Sequence, residues 1–150
     1  MTIHYRNEVR GSGVDARALK AAMRTLLETL GERDASISLT LVDDATIAKI
    51  NKEHRGKDTP TDVLSFPLEP EPFANERLLG DVVISIDTAR RQAQDYDAPL
   101  QRELERLMIH GVLHVLGHDH MEPDERAVME AEEKRLAAAI GMPWPYEDER

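Results

Sequence analysis

The chain contains no cysteine, which excludes disulfide scaffolds, thiolate metal sites, thiol nucleophiles and redox switching. It also lacks any apolar run near the ~18 residues of a membrane span. The opening Met1-Thr2-Ile3-His4-Tyr5-Arg6 has no apolar core of the kind a secretory signal needs. Internal repeats, low-complexity tracts and linkers are missing as well. The expectation from these absences is a cytoplasmic, soluble protein with no membrane partner. Basic charge is in deficit too, with 19 Lys and Arg against 29 Asp and Glu for a net charge of −10. Such a chain repels nucleic acid and anionic membrane at long range.

What remains is 150 residues, 41% hydrophobic and 32% charged, a globular balance. That length predicts one domain over residues 1–150, burying roughly 68–70% of its unfolded surface without help from a staple. The acidic surplus is uneven. Residues 1–68 hold ten basic and ten acidic side chains, so the whole excess falls in residues 69–150. In the neutral half, Lys49, Lys52, Arg55 and Lys57 gather around a single acid, Glu53. This cluster is the one place where a polyanion could dock.

Periodicity predicts the elements. Ile3, Tyr5, Asn7 and Val9 alternate as a strand. Asp15 fits an N-cap for a helix carrying Leu19, Met23, Leu26, Leu27 and Leu30 until Gly31. Ile37, Leu39 and Leu41 alternate as a second strand, and Asp43-Asp44 caps a short helix bearing Ile47 and Ile50. Val63–Phe66 reads as a short strand ended by Pro67, with a loop through Pro70 and Pro72. Val82–Ile86 is apolar enough for a central buried strand, followed by a helix capped by Asp87 and running to about Tyr96. Pro99 opens a further helix leading into His110, and the last runs from about Asp124 to Ile140. The expected fold class is α+β, one small mixed sheet of roughly four strands with about five helices.

The chemistry is concentrated in His110-Gly111-Val112-Leu113-His114-Val115-Leu116-Gly117-His118-Asp119-His120. His110 and His114 stand four apart, so their rings project from one helix face. Gly117 can end the helix in a left-handed turn, and His120 would return to complete a three-nitrogen site. Imidazole suits zinc, and three protein ligands leave a position for water. Other divalent transition metals remain open on affinity grounds. The spacing matches the H-E-x-x-H-x-x-G-x-x-H zinc proteases, but their glutamate base is here Gly111, so a peptidase would need its base elsewhere. Gly111 serves either the approach of a substrate or tight packing on the sheet. A metal hydrolase acting on an anion needs a second positive group, and Arg55 is the candidate. Its plain alternative is a surface ion pair with Glu53 or Asp58.

Two stretches together resemble one family. Asn51-x-x-x-Arg55-x-x-Asp58-x-Pro60-Thr61-Asp62-Val63-Leu64-Ser65-Phe66-Pro67 and the segment from His110 to His120 are similar to the YbeY family, bacterial endoribonucleases of ribosomal RNA maturation. Leu79-Gly80-Asp81 is similar too. The resemblance implies one metal, usually zinc, on His110, His114 and His120, in a cleft lined by the histidine helix. It implies a role for Arg55 in cleaving or holding single-stranded RNA, in 16S rRNA 3′-end maturation and in ribosome quality control. It also implies a small-subunit ribosomal protein and the GTPase Era as partners.

Around these residues several readings stay open. His118 stands where the family often has an aromatic; it could compete as a ligand, although Gly117 is expected to turn it away. Asp119 fits a group that orients an imidazole or assists a water, or else a surface cap. Asp62 braces Arg55 or caps a turn. Glu122, Glu130, Glu132 and Glu133 read as a solvated helix face rather than a protein-binding surface, Met142 as gap-filling core or a methionine turn beneath a zinc site, and Trp144 as a pin for the tail or a stacking platform. His4 and His54 have no spacing that recommends them. The leading expectation is a metal-dependent endoribonuclease in which water or a ribose 2′-hydroxyl attacks phosphorus. A ribosome-assembly factor with a purely structural metal is the non-catalytic rival.

Overall fold

The computed structural model describes all residues except 70, 73, 74, 120 and 144–150. Trp144 and His120 therefore lie outside the described residues. Strand β1 (Ile3–Asn7) leads to α1 (Ala16–Thr29), whose N-cap Asp15 accepts the Ala18 amide at 3.0 Å. Strand β2 (Ala35–Val42) follows, then α2 (Asp44–Arg55), where Asp43 accepts the Thr46 amide at 2.8 Å. Both acidic caps satisfy an amide that the first helical turn leaves without a partner. Strands β3 (Val63–Pro67) and β4 (Arg77–Ser85) come next, then α3 (Ile86–Asp95), α4 (Leu100–Val115) and α5 (Pro123–Ala139).

Among the described residues, the four strands form one mixed sheet in the order β1-β2-β4-β3. β1 and β4 both run parallel to β2, while β3 is antiparallel to β4. Leu39 pairs with Val82 and Leu41 with Ile84, so apolar partners line up on one face. That face joins α1, α3, α4 and α5 in the main core, through residues such as Leu26, Ala89, Leu107 and Leu136. The other face carries a smaller cluster of Val42, Ile47, Leu64 and Val83, where α2 lies. Covering both faces explains why β4 reads as the continuous run Val82-Val83-Ile84 instead of alternating: a strand buried on both sides has no solvent face to spare.

Some boundaries differ from the sequence reading; β1, for one, ends at Asn7 and leaves Val9 outside the strand. Strand β4 begins at Arg77, before the apolar run, because Ala35 and Ser36 of β2 pair with Arg77 and Leu78. The cap of α3 is Ser85, not Asp87, and Ile86 is its first residue instead of the end of the strand. Ser85 Oγ accepts the Thr88 amide at 3.2 Å. Asp87 acts elsewhere: its carboxylate accepts the Asp44 amide at the start of α2, at 2.9 Å.

Candidate active site

Helix α4 places the two central histidines. Its apolar residues Leu104, Leu107, Met108, Val112 and Val115 are buried in the main core, while His110 and His114 are half-buried at its margin. Gly111 faces the sheet. A Cβ built there would stand 2.6 Å from Val82 Cγ1 and 3.2 Å from Val63 Cγ2, so any side chain would push the helix off the strands. Ser65 Oγ on β3 donates to the Gly111 carbonyl at 2.9 Å and fastens the helix in that close position. Of the two uses open to Gly111, close packing is the one present. A carboxylate at this position would be driven into the sheet.

The helix ends as the glycine predicts. Gly117 has φ +96°, in the left-handed region. Its amide donates to the His114 carbonyl at 3.0 Å, and the His118 amide to the Leu113 carbonyl at 2.9 Å. This paired closure satisfies two terminal carbonyls and reverses the chain. His118 borders the same cleft as His110 and His114, but among the described residues it does not join them in a metal-holding group, as the turn at Gly117 leads one to expect.

That cleft has a volume of about 550 Å³. Arg55 lines it from the end of α2, Asp62 from the turn before β3 and Ser65 from β3 itself, and His110, His114, His118 and Asp119 from α4 and the turn beyond. The Nε2 atoms of His110 and His114 lie 3.1 Å apart, with ring centroids 4.5 Å apart and the planes at 74°. Two zinc–nitrogen bonds of about 2.0–2.1 Å at a tetrahedral angle separate their donors by about 3.3 Å. The pair is therefore spaced as two ligands of one ion. Among the described residues no third histidine or carboxylate joins them in a metal-holding group. His120, expected as the third ligand, is outside those residues.

Arg55 ends α2, where a cation also complements the helix dipole, and it is exposed. Among the described residues it has no ion-pair partner: Asp58 approaches Lys52 Nζ instead, at 3.9 Å. The surface pair with Glu53 or Asp58 is absent, and the guanidinium is available to the cleft. Lys49, Lys52 and Lys57 are exposed on α2 and the loop beyond it but are not part of the cleft wall. Asp62 caps its turn instead of bracing Arg55. One oxygen accepts the Val63 amide at 2.8 Å, and the other accepts Gln92 Nε2 at 3.3 Å. Buried Asn51 holds the neighbouring loop by donating from Nδ2 to the Thr59 carbonyl at 2.9 Å. The remaining histidines are occupied away from the cleft, His4 with Glu76 at 3.0 Å and His54 against the Phe66 ring at 4.8 Å.

One residue of this neighbourhood was misread from sequence. Glu133 is not on a solvated face: it is 8% exposed, and its Oε2 lies 3.3 Å from His110 Nδ1. The signal was present in the spacing. Met129, Leu136 and Ala137, at i−4, i+3 and i+4, form the buried stripe of α5, and Glu133 sits in that stripe.

Fold and cleft together define a small α+β protein with two helix-borne imidazoles converging beside a guanidinium. Comparison with known proteins gives the family. The endoribonuclease YbeY family model matches residues 4–141. Endoribonuclease YbeY of Persephonella marina is 46% identical over 121 residues, 80% of this chain and 79% of that protein. Its namesake in Anaeromyxobacter sp. strain Fw109-5 is 45% identical over 142 residues, 95% of this chain and 73% of that one. The relative in Carboxydothermus hydrogenoformans is 43% identical over 131 residues, 86% and 90% of the two chains. The solution structure of TM1509 from Thermotoga maritima superposes with a TM-score of 0.64 at 28% identity, covering 92% of this chain and 88% of that one. The chain belongs to the YbeY family.

Proposed function

We propose that this protein is a metal-dependent endoribonuclease of single-stranded RNA, acting in the cytoplasm on the 3′ end of small-subunit ribosomal RNA and in ribosome quality control. The observation that carries the reading is the cleft itself, where converging Nε2 atoms 3.1 Å apart share one wall system with Arg55. Family membership supports RNA as the substrate, since the matching relatives bear the name endoribonuclease. A small-subunit ribosomal protein and the GTPase Era fit as partners on the same ground. No helix among the described residues is long and apolar enough to cross a membrane.

His110, His114 and His120 would hold one zinc ion, or another divalent transition metal. Bound there, zinc supplies a Lewis acid and lowers the pKa of water toward neutrality. Arg55 binds the non-bridging oxygens of the scissile phosphate, and its planar donors take up negative charge as phosphorus becomes five-coordinate. Asp119 is exposed and lines the cleft, and there it would accept a proton from the attacking water or 2′-hydroxyl. Lys49, Lys52 and Lys57 draw the flanking phosphates toward a chain that is otherwise acidic.

Metal content and cleavage of a single-stranded RNA test this together. Wild type should carry about one zinc per chain, lost in His110→Ala, His114→Ala and His120→Ala and kept in His118→Ala. Arg55→Ala should keep its zinc and lose cleavage by about 10²–10³-fold, the usual cost of one charge-stabilising donor. Normal cleavage by Arg55→Ala would remove Arg55 from the mechanism. Full cleavage by His114→Ala would overturn metal dependence.

A further inference from the structure

We propose that Glu133 is the positioning residue of the metal cleft, fixing the tautomer and ring angle of His110 from behind. The inference rests on the reading of His110 and His114 as metal ligands. An imidazole offers two nitrogens, and only one can be aimed into the cleft. In His110 Nε2 faces His114 Nε2 at 3.1 Å, while Nδ1 faces Glu133 Oε2 at 3.3 Å. A carboxylate can only accept a hydrogen bond, so Nδ1 carries the proton and Nε2 presents its lone pair to the cleft. This is the form a metal requires, and a carboxylate on the far nitrogen also raises the basicity of the ligating one.

The placement is not that of a chance surface contact. Glu133 is 8% exposed and its neighbours Glu130 and Glu132 are not buried, so one carboxylate of an acidic helix has been taken out of water. Such burial is costly without a partner. The apolar stripe of α5 sets Glu133 against α4, with Met129 and Leu136 buried on either side. Helix α5 thus adds to the cleft from outside the His110–His120 segment. A residue that only glued α5 to α4 would affect folding and leave the tautomer of His110 untouched.

The test uses Glu133→Ala, the near-isosteric Glu133→Gln, and the exposed Glu130→Ala as a charge control. In the metal-free protein, long-range ¹⁵N–¹H NMR should show His110 protonated at Nδ1 in wild type, Glu130→Ala and Glu133→Gln, whose amide oxygen still accepts. Glu133→Ala should show a mixture of tautomers. Zinc competition against a chromophoric chelator should find Glu133→Ala weaker by about 10–100-fold, with Glu133→Gln between it and wild type and Glu130→Ala unchanged. If wild type binds zinc and folded Glu133→Ala matches it in affinity and tautomer, the role of Glu133 is wrong while the metal site stands. If Glu133→Ala does not fold, Glu133→Gln decides: wild-type zinc affinity there overturns the contribution of the charge. If wild type itself binds no zinc, the metal reading fails, and the proposal with it.

Discussion

Gly111 shows how one missing side chain sets the chemistry of this cleft. The position next to the first histidine is where a zinc protease carries its glutamate base, yet here the backbone lies so close to β3 and β4 that a Cβ would fall 2.6 Å from Val82. Gly111→Ala should therefore destabilise the protein by about 1–3 kcal/mol, the cost of overpacking a filled interior. Equilibrium denaturation measures it, and an unchanged midpoint would mean that the helix can retreat freely. Zinc affinity should fall in the same variant, since His110 precedes the displaced position. Gly111 was open to two readings from sequence, because spacing locates a glycine on a helix face but does not say what stands opposite. Glu133 was hidden for the same reason. Its place in the apolar stripe of α5 was legible, but the imidazole it meets lies 23 residues away and is brought there by helix packing.

At the scale of elements, α2 and α3 are tied through a small polar network at their N-termini. Asp44 Oδ1 accepts Ser85 Oγ at 2.6 Å and Thr88 Oγ1 at 2.7 Å, and Oδ2 accepts Arg91 at 2.9 Å. Burial pushes the Asp44 carboxyl up, but the hydrogen bonds from Ser85, Thr88 and Arg91 and the guanidinium charge prevail, so it is held below the usual carboxylate range. A carboxyl with a lowered folded pKa contributes stability that is present above its unfolded value, ~3.9, and lost as pH falls through the folded one. Asp44→Asn should lower stability near neutral pH and flatten its fall in acid. Thermal melts across pH 2–7 read this out (roughly the span of carboxylate titration), and an acid dependence equal to wild type would contradict it. Glu105 on α4 has the opposite sign. Burial raises its pKa against the offset of Arg102, so the charged form opposes folding. Glu105→Gln should raise the melting temperature at neutral pH, whereas a lower one would give the Arg102 pair the greater weight. The elements themselves were legible because caps and periodicity act locally: Asp15 and Asp43 cap where expected. The cap of α3 was misread because Ser85 and Asp87 are both good capping types. The choice between them was made by α2, which takes the Asp87 carboxylate for its own first amide.

For the whole molecule, the net charge of −10 and an RNA substrate are reconciled by where the charge lies. Lys49, Lys52, Arg55 and Lys57 are all exposed along the second half of α2 and the loop beyond it, and Arg55 reaches the cleft. The acidic half supplies β4 and helices α3 to α5, including the histidine helix. Sheet order could not be read from the strands one by one, since pairing β2 with β4 instead of β3 is a long-range choice. The cleft was nevertheless foreseeable, because both of its motifs are local segments and the mixed sheet brings them edge to edge. The chemistry of the cleft turns on whether His110 and His114 share a single cation. Anomalous scattering at the zinc edge, from crystals of the whole chain grown with zinc, tests it most directly. One peak is expected about 2.0–2.1 Å from both Nε2 atoms, with His120 as third ligand and a position left open to solvent. No peak between those rings, or a fourth side chain closing the open position, would contradict it.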